Sequence, residues 1–132
     1  MADALKLTIN TPEKSFYSGE VVEILTTSTQ GRIGILKNHM SLVTTLMPNV
    51  TEIIQKDGKK LKAFTSTGIL EVKDNSVNFL CDACEWPEEI DFERAQASKE
   101  RAEGRLNKEK DNIDVKRAEL ALTRALARIG LK

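Results

Sequence analysis

The sequence predicts an α+β chain in two parts, an N-terminal all-β sandwich or barrel followed by a C-terminal antiparallel two-helix hairpin. Three observations lead there. Short β-type runs broken by turn residues fill positions 5–84, the composition changes abruptly after Trp86-Pro87, and the remainder carries an internal repeat with helical spacing. The expected domains are 1–86 and 87–132. A chain of 132 residues is enough for a small β domain plus an appendage too slight to fold alone.

The expected strands are 5–10, 21–27, 41–46, 50–55, 60–65, 69–73 and 76–81. Turn signals separate them at Ser18-Gly19, Gln30-Gly31, Lys56-Asp57-Gly58-Lys59 and Lys73-Asp74-Asn75. Asp57-Gly58 is the strongest hairpin signal, because glycine tolerates positive φ without a steric penalty. Many short strands at this spacing make a sandwich or barrel. From 88 to 132 there is no proline, one interior glycine (Gly104), one near the end (Gly130), and abundant Ala, Glu, Lys and Arg. That is helix composition. The stretch 107–112 lacks apolar residues, so two helices are expected, about 91–106 and 114–129, joined by a short turn.

Laying 90–106 over 113–129 exposes the repeat. Ile90-Asp91-Phe92-Glu93-Arg94-Ala95 matches Ile113-Asp114-Val115-Lys116-Arg117-Ala118, and Arg101-Ala102, Arg105 and Leu106 match Arg124-Ala125, Arg128 and Ile129 at the same offset. At about 100° per residue, Ala95, Ala102 and Leu106 form one stripe, as do Ala118, Ala125 and Ile129. These stripes are the expected seam. The arginines form a second stripe about a quarter turn away, three to a helix. Ile-Asp before a helix is an ordinary helix start, with Asp as N-cap and Ile stapled to the Ala five residues on. The arginines are different: a capping box would have Glu or Gln at 94 and 117, and a cation in the first turn opposes the helix dipole. In an antiparallel pair the two arginine rows flank one groove or lie on opposite sides of it, according to the crossing geometry; the groove arrangement is an anion site.

Bulk numbers exclude several classes. Twenty Lys and Arg balance twenty Asp and Glu, so no long-range field drives the chain onto nucleic acid or lipid, and a charged partner must meet a local patch. No basic leader with an apolar run opens the sequence and nowhere are 18 consecutive apolar residues present, so a cytoplasmic location is expected. Cys81 and Cys84 are the only cysteines; their spacing falls where a strand runs into a loop, which favours packing thiols over a redox pair or half a zinc site. There is no Gly-x-x-x-x-Gly-Lys-Ser/Thr loop and no convincing nucleophile, base and oxyanion set, so no catalytic residue and no metal ligand is assigned.

The sequence resembles the epsilon subunits of bacterial and chloroplast F-type ATP synthases over essentially its whole length. Ile90-Asp91-x-x-Arg94-Ala95 matches the family's nucleotide-binding motif, and Gly34-Ile35-Leu36-x-x-His39-x-x-Leu42 resembles its Gly-Ile-Leu-Pro-Gly-His-x-Pro-Leu, followed by Gly68-Ile69-Leu70-Glu71-Val72. Lys37-Asn38 stands where the family usually has Pro-Gly, Ser41 where it has Pro, and Thr67 where a second Gly is common.

The resemblance implies a non-catalytic regulatory and coupling subunit in the central stalk of a proton- or cation-translocating ATP synthase, peripheral on the cytoplasmic side of the plasma membrane. The sandwich would dock on the gamma subunit and the c-ring, with Gly34, Ile35, Leu36, His39 and Leu42 at the interface. The hairpin would inhibit ATP hydrolysis when extended against the alpha and beta catalytic subunits, and bind ATP when folded. The family's ATP-contacting positions fall on Glu85, Ile90, Asp91, Arg94, Ala95, Arg101, Arg124 and Arg128, with ATP as a regulatory ligand, with or without Mg²⁺, and no required cofactor. The four arginines suit phosphate oxygens, since guanidinium forks are rigid and always charged; Glu85, Asp91 and the backbone at Ile90 would meet the adenine edge, with Ala95 leaving room for the ring. Arg105 and Arg117 fit the stripe but not the family's set. The alternative is a free-standing module binding acidic protein or nucleic acid through its basic second helix, weakened for nucleic acid by a single Trp and a single Tyr.

Overall fold

A computed structural model describes residues 4–108 and 112–132. Nine strands precede the helices: β1 (Leu5–Asn10), β2 (Ser15–Ser28), β3 (Gly31–Ile35), β4 (Leu42–Leu46), β5 (Asn49–Gln55), β6 (Lys60–Thr65), β7 (Gly68–Lys73), β8 (Ser76–Cys81) and β9 (Cys84–Glu85). A single 3₁₀ turn, Pro87–Glu89, leads into α1 (Phe92–Lys108) and α2 (Asn112–Ile129).

The strands run in the order β1-β8-β7-β4-β2-β5-β6-β9, with β3 paired to β2. β1 also pairs β2, so the sheet closes on itself through β2 and the core fills the inside. Leu5, Leu7, Ile9, Ile24, Ile35, Ile53, Leu70, Val77 and Phe79 alternate inward and are buried there, the period-2 signature of strands with one covered face. The turns obey their residues. Asp74 and Asn75 both have positive φ, 50° and 62°, as a two-residue type I′ hairpin requires, and Gly58 sits at φ 89°.

One expectation fails in the sheet, and two strands were not expected. Ser18-Gly19 is not a turn: both residues lie inside β2, opposite Thr8 and Leu7 of β1. β2 is long because it changes partner, pairing β1 in its first half and β5 and β3 in its second, with a register shift between Val21 and Glu23. Glycine before such a bend is compatible with a strand. The actual reversal is at Thr11, whose N–H donates to the Lys14 carbonyl at 2.9 Å. β3 and the two-residue β9 had no expectation at all, because two glycines dilute Gly31–Ile35 and two residues carry no period.

The hairpin is held by small residues. Only three residues separate α1 from α2, so the chain reverses, and Ala95, Ala102, Ala118 and Ala125 are all buried along the expected seam. The turn expected over 107–112 lies in part outside the described residues, at 109–111. The backbone of α2 is already helical at Asn112. Position 114 therefore lies within the helix and does not precede it, as its expected N-cap role requires. The hairpin lies on the outer face of β5 and β6, where Gly130 comes beside Val50 and Phe64 is completely buried yet outside the sandwich core.

Candidate functional site

β9 ends at Glu85, and everything between it and α1 is locally fixed. Trp86 stacks on Phe16 at 4.4 Å between ring centroids, tying the connection to the core. Its N–H donates to Glu89 Oε1 at 2.9 Å, and Lys14 Nζ lies 3.6 Å from Glu89 Oε2. Asp91 Oδ1 accepts the Arg94 N–H at 3.0 Å while its carbonyl accepts the Ala95 N–H, so Asp91 is the N-cap of α1 as its helix-start reading expected. Ile90 is buried beneath this turn.

Between the hairpin and this connection lies a polar cavity of about 410 Å³, lined by Glu85, Glu89, Asp91, Arg94, Ala95, Ser98, Arg101, Arg124 and Arg128. Seven of the eight residues expected to contact a nucleotide are thus brought together. Ile90 is not in the lining, and the role expected of its backbone requires no side-chain contact. Arg105 and Arg117 are outside the cavity and exposed.

The partners inside the cavity separate the charges into two groups. Glu85 Oε1 accepts Arg128 Nε–H at 2.6 Å, and the Arg128 guanidinium carbon sits 4.3 Å over the Phe64 ring. The adenine-edge role expected of Glu85 therefore has a competitor, since its carboxylate already orients Arg128. Glu89 and Asp91 are engaged as described above. Arg94 and Arg101 are exposed and Arg124 half-buried, and among the described residues none of the three has a carboxylate partner. Four guanidiniums stand against three carboxylates, and every carboxylate is occupied. The excess is positive: Asp91, bonded only to a backbone N–H, keeps its charge, but the unpaired arginines outnumber it, and Arg94 and Arg101 lie about 10 Å apart along α1.

Glu89 and Ser98 line the cavity without having been expected there. Ser98 was legible, being four residues from Arg94 and three from Arg101 on one helix face; Glu89 depends on the 3₁₀ turn, for which the sequence carried only Pro87.

The expected docking residues do not form one surface. Ile35 is fully buried in the core, paired across to Ile24, and supports the loop from below; the inward phase of β3 dictates this. Leu42 is partly buried and packs on the core. Leu36 and Gly34 are exposed, and His39 is half-buried, with Nδ1 2.7 Å from the Met40 carbonyl. Asn38, at the family motif's glycine, has φ 67° and is held by Asn75 Oδ1 at 2.7 Å. Asparagine is the usual substitute for glycine in that conformation. A broader apolar surface surrounds the loop: Leu36 and Met40 lie in it, and Val43, Ile69 and Leu80 are exposed on the outer face of β4, β7 and β8.

Cys81 and Cys84 are both buried and free. A hydrogen bond with Cys84, then burial, push the Cys81 thiol far above its ordinary range. That is the opposite of an activated thiol. Among the described residues no cluster of His, Cys, Asp and Glu could hold a metal ion, and no helix is long and apolar enough to cross a membrane.

The chain matches two family models end to end: the β-sandwich domain of the ATP synthase delta/epsilon chain over residues 4–87, and its long α-helix domain over 88–131. It is 62% identical to the ATP synthase epsilon chain of Clostridium kluyveri over 131 residues, covering 99% of this chain and 98% of that one. It is 47% identical to that of Caldanaerobacter subterraneus subsp. tengcongensis, covering 99% and 95%. Among solved structures it superposes on a chain of the Euglena gracilis mitochondrial ATP synthase with a TM-score of 0.83 at 24% identity, covering 95% of this chain and 79% of that one. A chain from the Tetrahymena thermophila mitochondrial ATP synthase gives 0.64 at 15%, covering 95% and 93%. These two likenesses concern the fold alone.

Proposed function

The chain belongs to the ATP synthase delta/epsilon family, among the epsilon chains, and from that premise we propose that it is the regulatory and coupling subunit of a cation-translocating F-type ATP synthase. It sits in the central stalk, contributes no catalytic group, and is held on the cytoplasmic side of the plasma membrane by the complex. The apolar outer face of β4, β7 and β8, with Leu36 and Met40, docks on the gamma subunit and the c-ring. The folded hairpin binds ATP; extended, it meets the alpha and beta subunits and inhibits ATP hydrolysis.

One observation carries the ATP reading: in a single cavity each carboxylate has a partner while Arg94, Arg101 and Arg124 have none among the described residues. A single phosphate cannot span cations spread over about 10 Å of helix, whereas a polyphosphate chain can. Arg128 serves two purposes, holding α2 to β9 through Glu85 and lining the cavity. A ligand that binds only the folded hairpin adds about 2.7 kcal/mol at a hundred times its Kd. Moving a balance from 1:99 to 99:1 takes about 5.5 kcal/mol. ATP therefore biases the hairpin without locking it.

Calorimetric titration of ATP, with and without Mg²⁺, into the full chain tests the reading. Binding heat is expected from the unmodified chain, with affinity reduced about tenfold or more in Arg94→Ala and Arg124→Ala, as for loss of a hydrogen bond to a charged group. No heat from the unmodified chain would remove ATP sensing and leave family membership intact.

A further inference from the structure

Resting on the reading of the cavity as a nucleotide site, we propose that Ser98 is a further ligand of that site, donating its hydroxyl hydrogen to an oxygen of the phosphate chain. Helical geometry places it well. Taking Arg94 as origin, Arg101 lies about 20° to one side, Ser98 about 40° to the other, and the seam residue Ala95 about 100° round in that same direction. Ser98 therefore falls between the arginine stripe and the seam, nearer the cavity floor than either guanidinium's helix position. Along the axis it is about 6 Å beyond Arg94 and about 4.5 Å short of Arg101. A phosphate chain bridging those arginines passes over it.

The hydroxyl is also uncommitted. A helical Ser or Thr with no other acceptor commonly folds back on the carbonyl four residues earlier. Thr123 does this, donating to the Glu119 carbonyl at 2.9 Å. Ser98 is half-buried, lines the cavity, and among the described residues has no hydrogen-bond partner. A neutral donor beside three guanidiniums adds a directed bond to an anionic oxygen without adding repulsion among the cations.

The test is ATP affinity of the full chain and of Ser98→Ala by calorimetry, beside thermal melting of both without nucleotide. Alanine is the better helix former, so the nucleotide-free hairpin of the variant is expected to melt at the same temperature or higher. ATP affinity is expected to fall about tenfold, the loss of one hydrogen bond to a charged acceptor. Unchanged ATP affinity in Ser98→Ala overturns the proposal, as does an affinity loss matched by lower nucleotide-free stability, which marks a structural role. Absence of binding by the unmodified chain overturns the nucleotide reading itself, and this inference with it.

Discussion

In the sandwich the buried side chains are Phe79, Leu70, Ile53, Ile24 and their neighbours; in the hairpin they are Ala95, Ala102, Ala118 and Ala125. Burying a large apolar side chain is worth about 1.5–3 kcal/mol, while a methyl group contributes about 0.8. Strand pairing also ties the sandwich together across the sequence, β1 to β8 in parallel and β4 to β7 antiparallel. The hairpin touches the sandwich mainly through Phe64, Val50 and the Arg128–Glu85 pair. One chain thus contains a part tied together by strand pairing and a large-residue core, and a part held to it by few contacts, as the proposed release of the hairpin requires. The alanine seam joins the two helices to each other, while the hold of the hairpin on the sandwich rests on those few contacts.

Substitutions on the two sides separate these behaviours. Phe79→Ala empties the core and is expected to destabilise the sandwich by about 3–5 kcal/mol, a large share of a domain's total. Trp86, the only tryptophan and stacked on the core, reports this as an early fluorescence transition in urea. If the helical circular dichroism were lost without that transition, the hairpin would not depend on the sandwich. Glu85→Gln removes the charge from the Arg128 pair while keeping an acceptor. About 1 kcal/mol is expected, since the pair is partly exposed. It is to be read as increased amide exchange in α2 with β7 and β8 unchanged; uniform change across both parts would contradict the division drawn above. Asp91→Asn keeps an equally good N-cap, so the hairpin's melting is expected to move by less than about 0.5 kcal/mol. A larger drop would show that the Asp91 charge, beyond its hydrogen bond to Arg94, holds the hairpin.

Much of the sandwich was legible because one covered face imposes alternation: Leu5–Asn10, Lys60–Thr65 and Ser76–Cys81 were read to the residue. The long β2 was not, since its two halves answer to different neighbours and no local pattern records a change of partner. In the site, arginines at fixed helical offsets were visible from the repeat. The pairing of Glu85 with Arg128, 43 positions apart, was not, because it is created only when α2 settles on β9. The burial of Ile35 was not legible for a related reason: a motif gives residue identity, while the phase of β3 decides which side chain faces out.

β9 pairs β6 through only Phe64 opposite Glu85 and Thr65 opposite Cys84. In the extended state proposed above, this sheet edge and the Phe64 ring would meet water together, and an open edge with an apolar neighbour invites another strand to add on. Its defences are built in. The terminal strand is too short to template a partner, and Lys60 and Lys62 project exposed from the strand behind it, placing charge where an incoming chain would have to be desolvated. If the arm comes away as proposed, the sandwich thereby carries its own protection against self-association.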